Sequence, residues 1–271
     1  MNLLHNILLL PKNLVKQTVS EKRFACRKIN KSPNKAYNKV VESITVTENG
    51  ENRSNITYLY NAVTSCLQRY GGKSELIFGE DRAALMITAE KSAERDVRAY
   101  TKEKIAEVIG IGYKFEFLKN RLRVCLGQRE KKLLLAALIA ADLDGDKAYI
   151  RGKLDHSEEY SIDGFYAFRL GALREKWEKI AAYIPEGFAS NDLKKFCDFL
   201  VGESHNKIYI KGNAVFGENF VPLRRSRLTG EEDIETEIML SDAGFVYCLG
   251  EVEDSVGDFL QKYYAERAIF S

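Results

Sequence analysis

Cysteine, proline and long apolar runs are all scarce in this chain of 271 residues. The five cysteines lie 40 or more residues apart, and an odd number without a close pair argues against a secreted disulfide framework. Four prolines provide no proline-rich linker. The longest apolar run, 133–141, falls well short of the roughly 18 residues that a membrane-spanning helix needs. We therefore expect a cytoplasmic protein without a membrane span.

Charge is nearly balanced overall but uneven along the chain. The 41 Lys and Arg against 39 Asp and Glu give a formal charge of +2, which by itself indicates neither a nucleic acid nor an anionic membrane as partner. Residues 1–45 carry nine basic and two acidic side chains, a local charge of +7. Residues 231–258 carry ten acidic side chains and no Lys or Arg. The sequence therefore predicts a dipolar molecule.

The hydrophobic patterns predict an α+β protein that is mostly helical with a small antiparallel sheet. Helices are predicted at 12–28, 56–70, 92–118 with a break at Gly110–Gly112, 133–141, 161–184, 192–201 and 252–263. Strands are predicted at 41–47, 75–78, 83–88, 207–211, 214–221 and 245–249. We divide the chain into a basic α+β N-terminal region, 1–90, and a helical α+β domain, 91–271.

One phrase in the second region is distinctive. Residues 160–170 read YSIDGFYAFRL, and a predicted helix at 193–201 and a predicted strand at 207–211 follow. In this phrase and in the order of elements, residues 92–223 resemble the YtxC-like family of sporulation proteins from spore-forming Firmicutes. The resemblance implies a role in sporulation. It implies no catalytic residues, because the family has no established chemistry.

Arg169, near the end of that phrase, is a candidate binding residue. Its guanidinium could bind a phosphate or a carboxylate. The alternative, which we favour, is an ion pair with Glu158 or Asp163 while the aliphatic part of the side chain covers apolar surface. Asp163 lies in the first turn of a helix that Ser161 is expected to cap, where a carboxylate stabilises the free N–H groups.

Arg224, Arg225 and Arg227 form the densest basic cluster and are the other candidate binding residues. Three guanidiniums within four residues could contact phosphates, together with the basic region 1–45. The acidic residues that begin at Glu231 would compete for these cations, and no aromatic residues are interleaved here to stack on bases. We therefore prefer a solvated loop and keep nucleic-acid binding as the alternative function.

No spaced set of catalytic or metal-binding residues is present in the sequence. Residues 142–146 begin like a calcium loop, but Lys147 and Lys153 occupy the positions that require Gly and Glu, so a turn at a helix end is the better interpretation. The three His and five Cys lack metal-ligand spacing, so neither a metal nor a cofactor is predicted. The sequence favours binding to a protein partner over catalysis. The enzymatic alternative is a site that converges around Arg169 and Asp163.

Overall fold

The structure is a computed structural model that describes residues 41–50, 53–154, 159–230 and 232–271. It is 59% helical and 20% strand, which confirms the α+β class. The helix predicted at 12–28 and most of the basic region 1–45 lie outside the described residues.

The described strands form two four-stranded sheets, and both sheets are mixed. The first contains β1 (Val41–Asn49), β2 (Lys73–Phe78), β3 (Arg82–Glu90) and β4 (Glu159–Ser161), in the order β2-β3-β1-β4. The second contains β5 (Asn206–Lys211), β6 (Ala214–Phe216), β7 (Ala243–Cys248) and β8 (Ala268–Phe270), in the order β6-β5-β7-β8. The hairpins β2–β3 and β5–β6 are antiparallel as predicted. The pairs β1–β4, β5–β7 and β7–β8 are parallel, because long helical connections return the chain in the same direction.

Helices account for most of the remaining described residues. They are α1 (Arg53–Tyr70), α2 (Glu94–Glu107), α3 (Lys114–Arg121), α4 (Gln128–Ala140), α5 (Leu143–Lys153), α6 (Ile162–Arg169), α7 (Gly171–Tyr183), α8 (Ser190–Glu203), α9 (Ile234–Leu240) and α10 (Asp254–Tyr263). Two short 3₁₀ turns lie at Arg225–Thr229 and Ala265–Arg267.

The predicted helix break at Gly110–Gly112 is wrong. A π-helical turn, Val108–Tyr113, links α2 to α3 without interruption. The glycines allow close packing there. A Cβ on Gly110 would lie 3.1 Å from Leu143 Cδ1, and a Cβ on Gly112 would lie 3.2 Å from the carbonyl oxygen of Leu228. In this segment glycine marks a close approach of neighbouring elements rather than the end of a helix.

The helix predicted at 161–184 is divided into α6 and α7. Ser161 occupies the N-cap position as predicted, but its side chain makes no capping hydrogen bond to the backbone and donates to Asp163 instead. Leu170, with φ −111° and ψ 31°, separates the two helices. Leu170, Leu173, Trp177 and Ile180 are all buried. The spacing of apolar residues therefore predicted burial correctly even where the backbone leaves the helical conformation.

The described residues share one hydrophobic core. α1 packs on all three long strands of the first sheet, and α4 is buried from Leu133 to Ile139. α8 and α9 pack against β7 of the second sheet. The pairing of β1 with β4 places strands from the expected regions 1–90 and 91–271 in one sheet. One face of the second sheet carries the buried side chains of Ile208, Ile210 and Val246, whereas the described side chains on the opposite face are half-buried or exposed, and the candidate site lies on that opposite face.

Candidate functional site

The alternation of side chains along β5 creates the candidate site. Ile208 and Ile210 are buried, whereas Lys207 and Lys211 are exposed and Tyr209 is half-buried. Because successive side chains of a strand point to opposite faces, the two lysines and the tyrosine lie together on the face away from the core. Basic groups thus flank an aromatic ring along a single strand.

The neighbouring strands extend this face with further apolar side chains. Tyr209 lies opposite Tyr247 of β7 and opposite Phe216 of β6, and Tyr247 lies opposite Ile269 of β8. The rings of Tyr209 and Tyr247 stack, with centroids 5.3 Å apart and planes inclined by 26°. Among the described strands of this sheet, no position on the same face holds Asp or Glu.

The turn after β6 adds a third ring. The centroid of Phe220 lies 4.5 Å from that of Tyr209, and the planes are inclined by 25°. The N–H of Phe220 donates to the carbonyl of Gly217 over 2.9 Å, and Phe220 has a φ of 53°. Phe220, Tyr209 and Tyr247 form a continuous stack, which we call the aromatic row. Tyr209, the middle ring, is half-buried, whereas Phe220 is 59% exposed at the end of the row.

We use the name aromatic–basic face for the aromatic row together with Lys207 and Lys211. Glu218 is an exposed acidic residue in the same turn as Phe220. Lys207 and Glu218 also line a cleft of about 490 Å³ that contains Arg225 and Asp142. The face therefore combines open aromatic surface with positive charge, and its border carries charges of both signs.

Arg225 anchors the segment that carries Phe220. Its Nε donates to Glu107 Oε1 over 2.8 Å, and its side chain is only 24% exposed. The backbone N–H groups of Arg225 and Ser226 donate to the Glu237 carboxylate over 2.9 and 2.7 Å. Glu107 also accepts from the Tyr58 hydroxyl over 2.8 Å. These bonds fix the turn Arg225–Thr229 against α1, α2 and α9.

The charge of Glu107 depends on its cationic neighbours. Burial alone raises the pKa of this carboxyl, but Arg225 and Lys104 outweigh burial and lower the pKa to about 2. At Glu237 burial has the larger effect and raises the pKa of the carboxyl, although Ser226 and Arg225 donate hydrogen bonds to the carboxylate. Glu107 is therefore the ionised anchor of the network.

The structure separates the other predicted arginines. Arg224 is exposed, and Arg227 donates to Glu232 over 2.8 Å. The hydrogen bond from Arg227, with the charges of Arg227 and Arg224, holds the pKa of Glu232 below its usual range. With Arg225 directed inward, the three guanidiniums do not form one outward surface.

Arg169 lies on a different part of the molecule, at the end of α6. It is exposed beside Phe168, which is 87% exposed. Asp163 does not form the ion pair expected with Arg169. It accepts hydrogen bonds from Arg82 over 2.8 Å and from Ser161 over 3.0 Å. Glu158, the other expected partner, lies outside the described residues.

Residues 142–146 connect α4 to α5 and include the first turn of α5. The acidic side chains of this segment form ion pairs. Asp146 is fully buried and accepts from Lys114, Lys176 and the Trp177 indole, each over 2.8 Å. Lys114 is also fully buried. Asp146 is thus neutralised by lysines from α3 and α7. Within the described ranges, no group of three or more His, Cys, Asp or Glu is placed to hold a metal ion.

Similarity to known proteins does not indicate the function of this chain. No protein-family model, curated protein or solved structure matches the chain. Among the helices that the structure describes, none is both long enough and apolar enough to cross a membrane.

The sequence analysis missed the aromatic–basic face, although part of the signal was present. The alternation of residues 207–211 predicts that Lys207, Tyr209 and Lys211 share one side of a strand. Tyr209 and Tyr247 lie far in sequence from the arginine cluster, where the basic charge is densest. Tyr247 and Phe220 join Tyr209 through strand pairing and a turn, which the local pattern does not reveal.

Proposed function

We propose that this protein binds nucleic acid through the aromatic–basic face of its second sheet. The observation that carries the proposal is the position of Tyr209, which lies between the exposed Lys207 and Lys211 on the sheet face opposite the core and within a row of stacked rings. Lysines that contact phosphates supply affinity through counterion release. Aromatic side chains on an open sheet are a common surface for contact with nucleobases.

The groups on this face are suited to contact rather than to bond-making chemistry. Two ammonium groups can neutralise phosphates, and an exposed ring of the aromatic row can stack on a base. As part of the same proposal, the protein acts during sporulation, as the family resemblance implies, and in the cytoplasm, as the dispersed cysteines and the lack of a long apolar run in the sequence suggest. The basic region 1–45 adds positive charge to the same chain.

The test is a titration of the full-length protein into fluorescein-labelled oligonucleotides, followed by fluorescence anisotropy at several salt concentrations. Replacing Lys207 and Lys211 with Ala is expected to lower the affinity about tenfold and to reduce the slope of log affinity against log salt by about 1.4 for a single strand. The matched control replaces Lys91 and Lys179, which are exposed on other elements. Equal losses in both double variants would show that only net charge matters and would refute the proposed face.

A protein partner is the second candidate, and Phe168 is the observation that favours it. This ring is 87% exposed, next to Arg169, and aromatic and arginine side chains are enriched among residues that dominate protein interfaces. The test is capture of partners from the native host with wild-type protein and with Phe168→Ser, with and without nuclease. A protein that is retained after nuclease treatment and is lost with Phe168→Ser would support this candidate. Identical recovery with both proteins would refute it.

A further inference from the structure

We infer that the nucleic acid held by the aromatic–basic face is single-stranded, and that Phe220 is the platform on which one unpaired base stacks. This inference rests on the proposed function, because it specifies the ligand of the same site. The rings of Phe220 and Tyr247 both stack on that of Tyr209, at centroid distances of 4.5 and 5.3 Å, and the strand order β6-β5-β7 brings Tyr247 from one side of β5 and the turn after β6 from the other. The inner ring of the row is therefore closed to a base, and the exposed outer ring offers the free surface.

The backbone of Phe220 provides an independent argument. A φ of 53° lies in the left-handed region, which glycine adopts freely and which a bulky side chain rarely adopts. Hairpin turns of this kind usually have Gly or Asn at such a position. Here the position holds a large ring that is 59% exposed and stacks on the Tyr209 ring. Strained residues of this type are concentrated at ligand contacts.

The surroundings of Phe220 hold the ring in place before any ligand arrives. The N–H of Gly217 donates to the Val221 carbonyl over 3.1 Å, and the N–H of Leu223 donates to the Val215 carbonyl over 2.8 Å. Two residues later, Arg225 is tied to Glu107. The platform is consequently ordered by the fold, and a base that stacks on it need not organise the loop.

The geometry favours a single strand over a duplex. In a duplex each base is already stacked between its neighbours, so its faces are closed to a protein ring. An unpaired base can extend the row beyond Phe220 while Lys207 and Lys211 neutralise nearby phosphates. Glu218, in the same turn, repels the phosphate backbone and limits the affinity.

The experiment compares Phe220→Gly with Asn219→Gly in the full-length protein. Glycine is the residue that the backbone at position 220 prefers, so Phe220→Gly removes the ring without strain, and Asn219→Gly is a control for added flexibility in the same turn. We expect Phe220→Gly to weaken binding of a single-stranded oligonucleotide about tenfold and to leave duplex binding within about twofold. Asn219→Gly should bind as the wild type does, and Phe220→Trp should retain the affinity.

Two further measurements separate base stacking from charge. An oligonucleotide with 2-aminopurine at successive positions should be quenched at one position by the wild type and not by Phe220→Gly. Glu218→Gln should raise the affinity for single strands and duplexes alike. Equal affinity for both forms, unchanged by Phe220→Gly, would overturn this inference and leave the proposed function intact. Absence of binding to any oligonucleotide at low salt would overturn both.

Discussion

The carboxylate of Glu107 holds the segment that carries the candidate site, and replacing it with Gln tests this role. Glu107 is 2% exposed and receives hydrogen bonds from Arg225, Tyr58 and Lys104. Glu107→Gln preserves the shape of the side chain and removes its charge. Arg225 and Lys104 then lose the anion that compensates their own burial.

The size of the effect follows from the pKa of Glu107, which is lowered from 4.5 to about 2 in the folded protein. At neutral pH this difference corresponds to about 3 kcal/mol of folding stability. Loss of one partner from a buried ion pair generally costs about 3–5 kcal/mol, which agrees. Because the folded pKa is the lower one, the contribution is complete above the unfolded value and is lost as the pH falls through the folded value. At about pH 3 less than half of the contribution remains.

The assay is urea unfolding of both proteins, followed by far-ultraviolet circular dichroism, at neutral pH and at steps down to about pH 3.5. The difference in unfolding free energy should shrink as the pH falls. Glu116→Gln is the control, because Glu116 is 56% exposed and its pair with Lys119 should contribute less than about 1 kcal/mol. A difference below about 1 kcal/mol for Glu107→Gln, or one that does not change with pH, would refute the reasoning.

Three further substitutions test the packing. Gly244→Ala should lower the unfolding free energy by about 3 kcal/mol, because the added Cβ would lie 2.0 Å from the carbonyl oxygen of Ser204; an unchanged urea midpoint would contradict this. Gly152→Ala should raise the stability by about 0.5–1 kcal/mol, seen as a higher Tm, since the new Cβ in α5 would meet no atom within 4 Å apart from its chain neighbours and the backbone of its own helix. Asp146→Asn should cost about 3–5 kcal/mol in thermal unfolding, because the buried Lys114 loses its anion at 2.8 Å and is left with Asp142, 3.7 Å away, whereas Asp144→Asn, at a fully exposed position, should be neutral.

Most helices and the two hairpins follow from local pattern. The stripe through Leu173, Trp177 and Ile180 has helical spacing, and all three residues are buried. Residues 207–211 alternate, and they form β5. The errors occur where one residue type can have either of two structural roles, as glycine can either end a helix or allow close packing. The sequence predicts a helix break at Gly110 and Gly112, but in the structure these glycines allow Leu143 and Leu228 to approach a continuous helix closely.

The candidate site was harder to predict, because it depends on which strands become neighbours. The parallel pairing of β5 with β7 aligns Tyr209 with Tyr247, and no local pattern specifies a parallel partner. The ion pair of Arg225 could not be predicted either, because the charged residues next to it in sequence are basic. Only the tertiary structure shows that Glu107, far away in the chain, receives its guanidinium.

The pairing of β1 with β4 has a consequence for the order in which the chain folds. β1 lies between β3 and β4, and Val46 is aligned with Tyr160. During synthesis, β1, β2 and β3 emerge long before β4, so one edge of β1 keeps its N–H and C=O groups unpaired until the intervening helices have been made. An unpaired edge of this kind can join strands of other chains, and distant contacts close slowly. The first sheet is thus completed late, and a nascent chain that ends before Glu159 exposes a β-edge to its neighbours on the polysome.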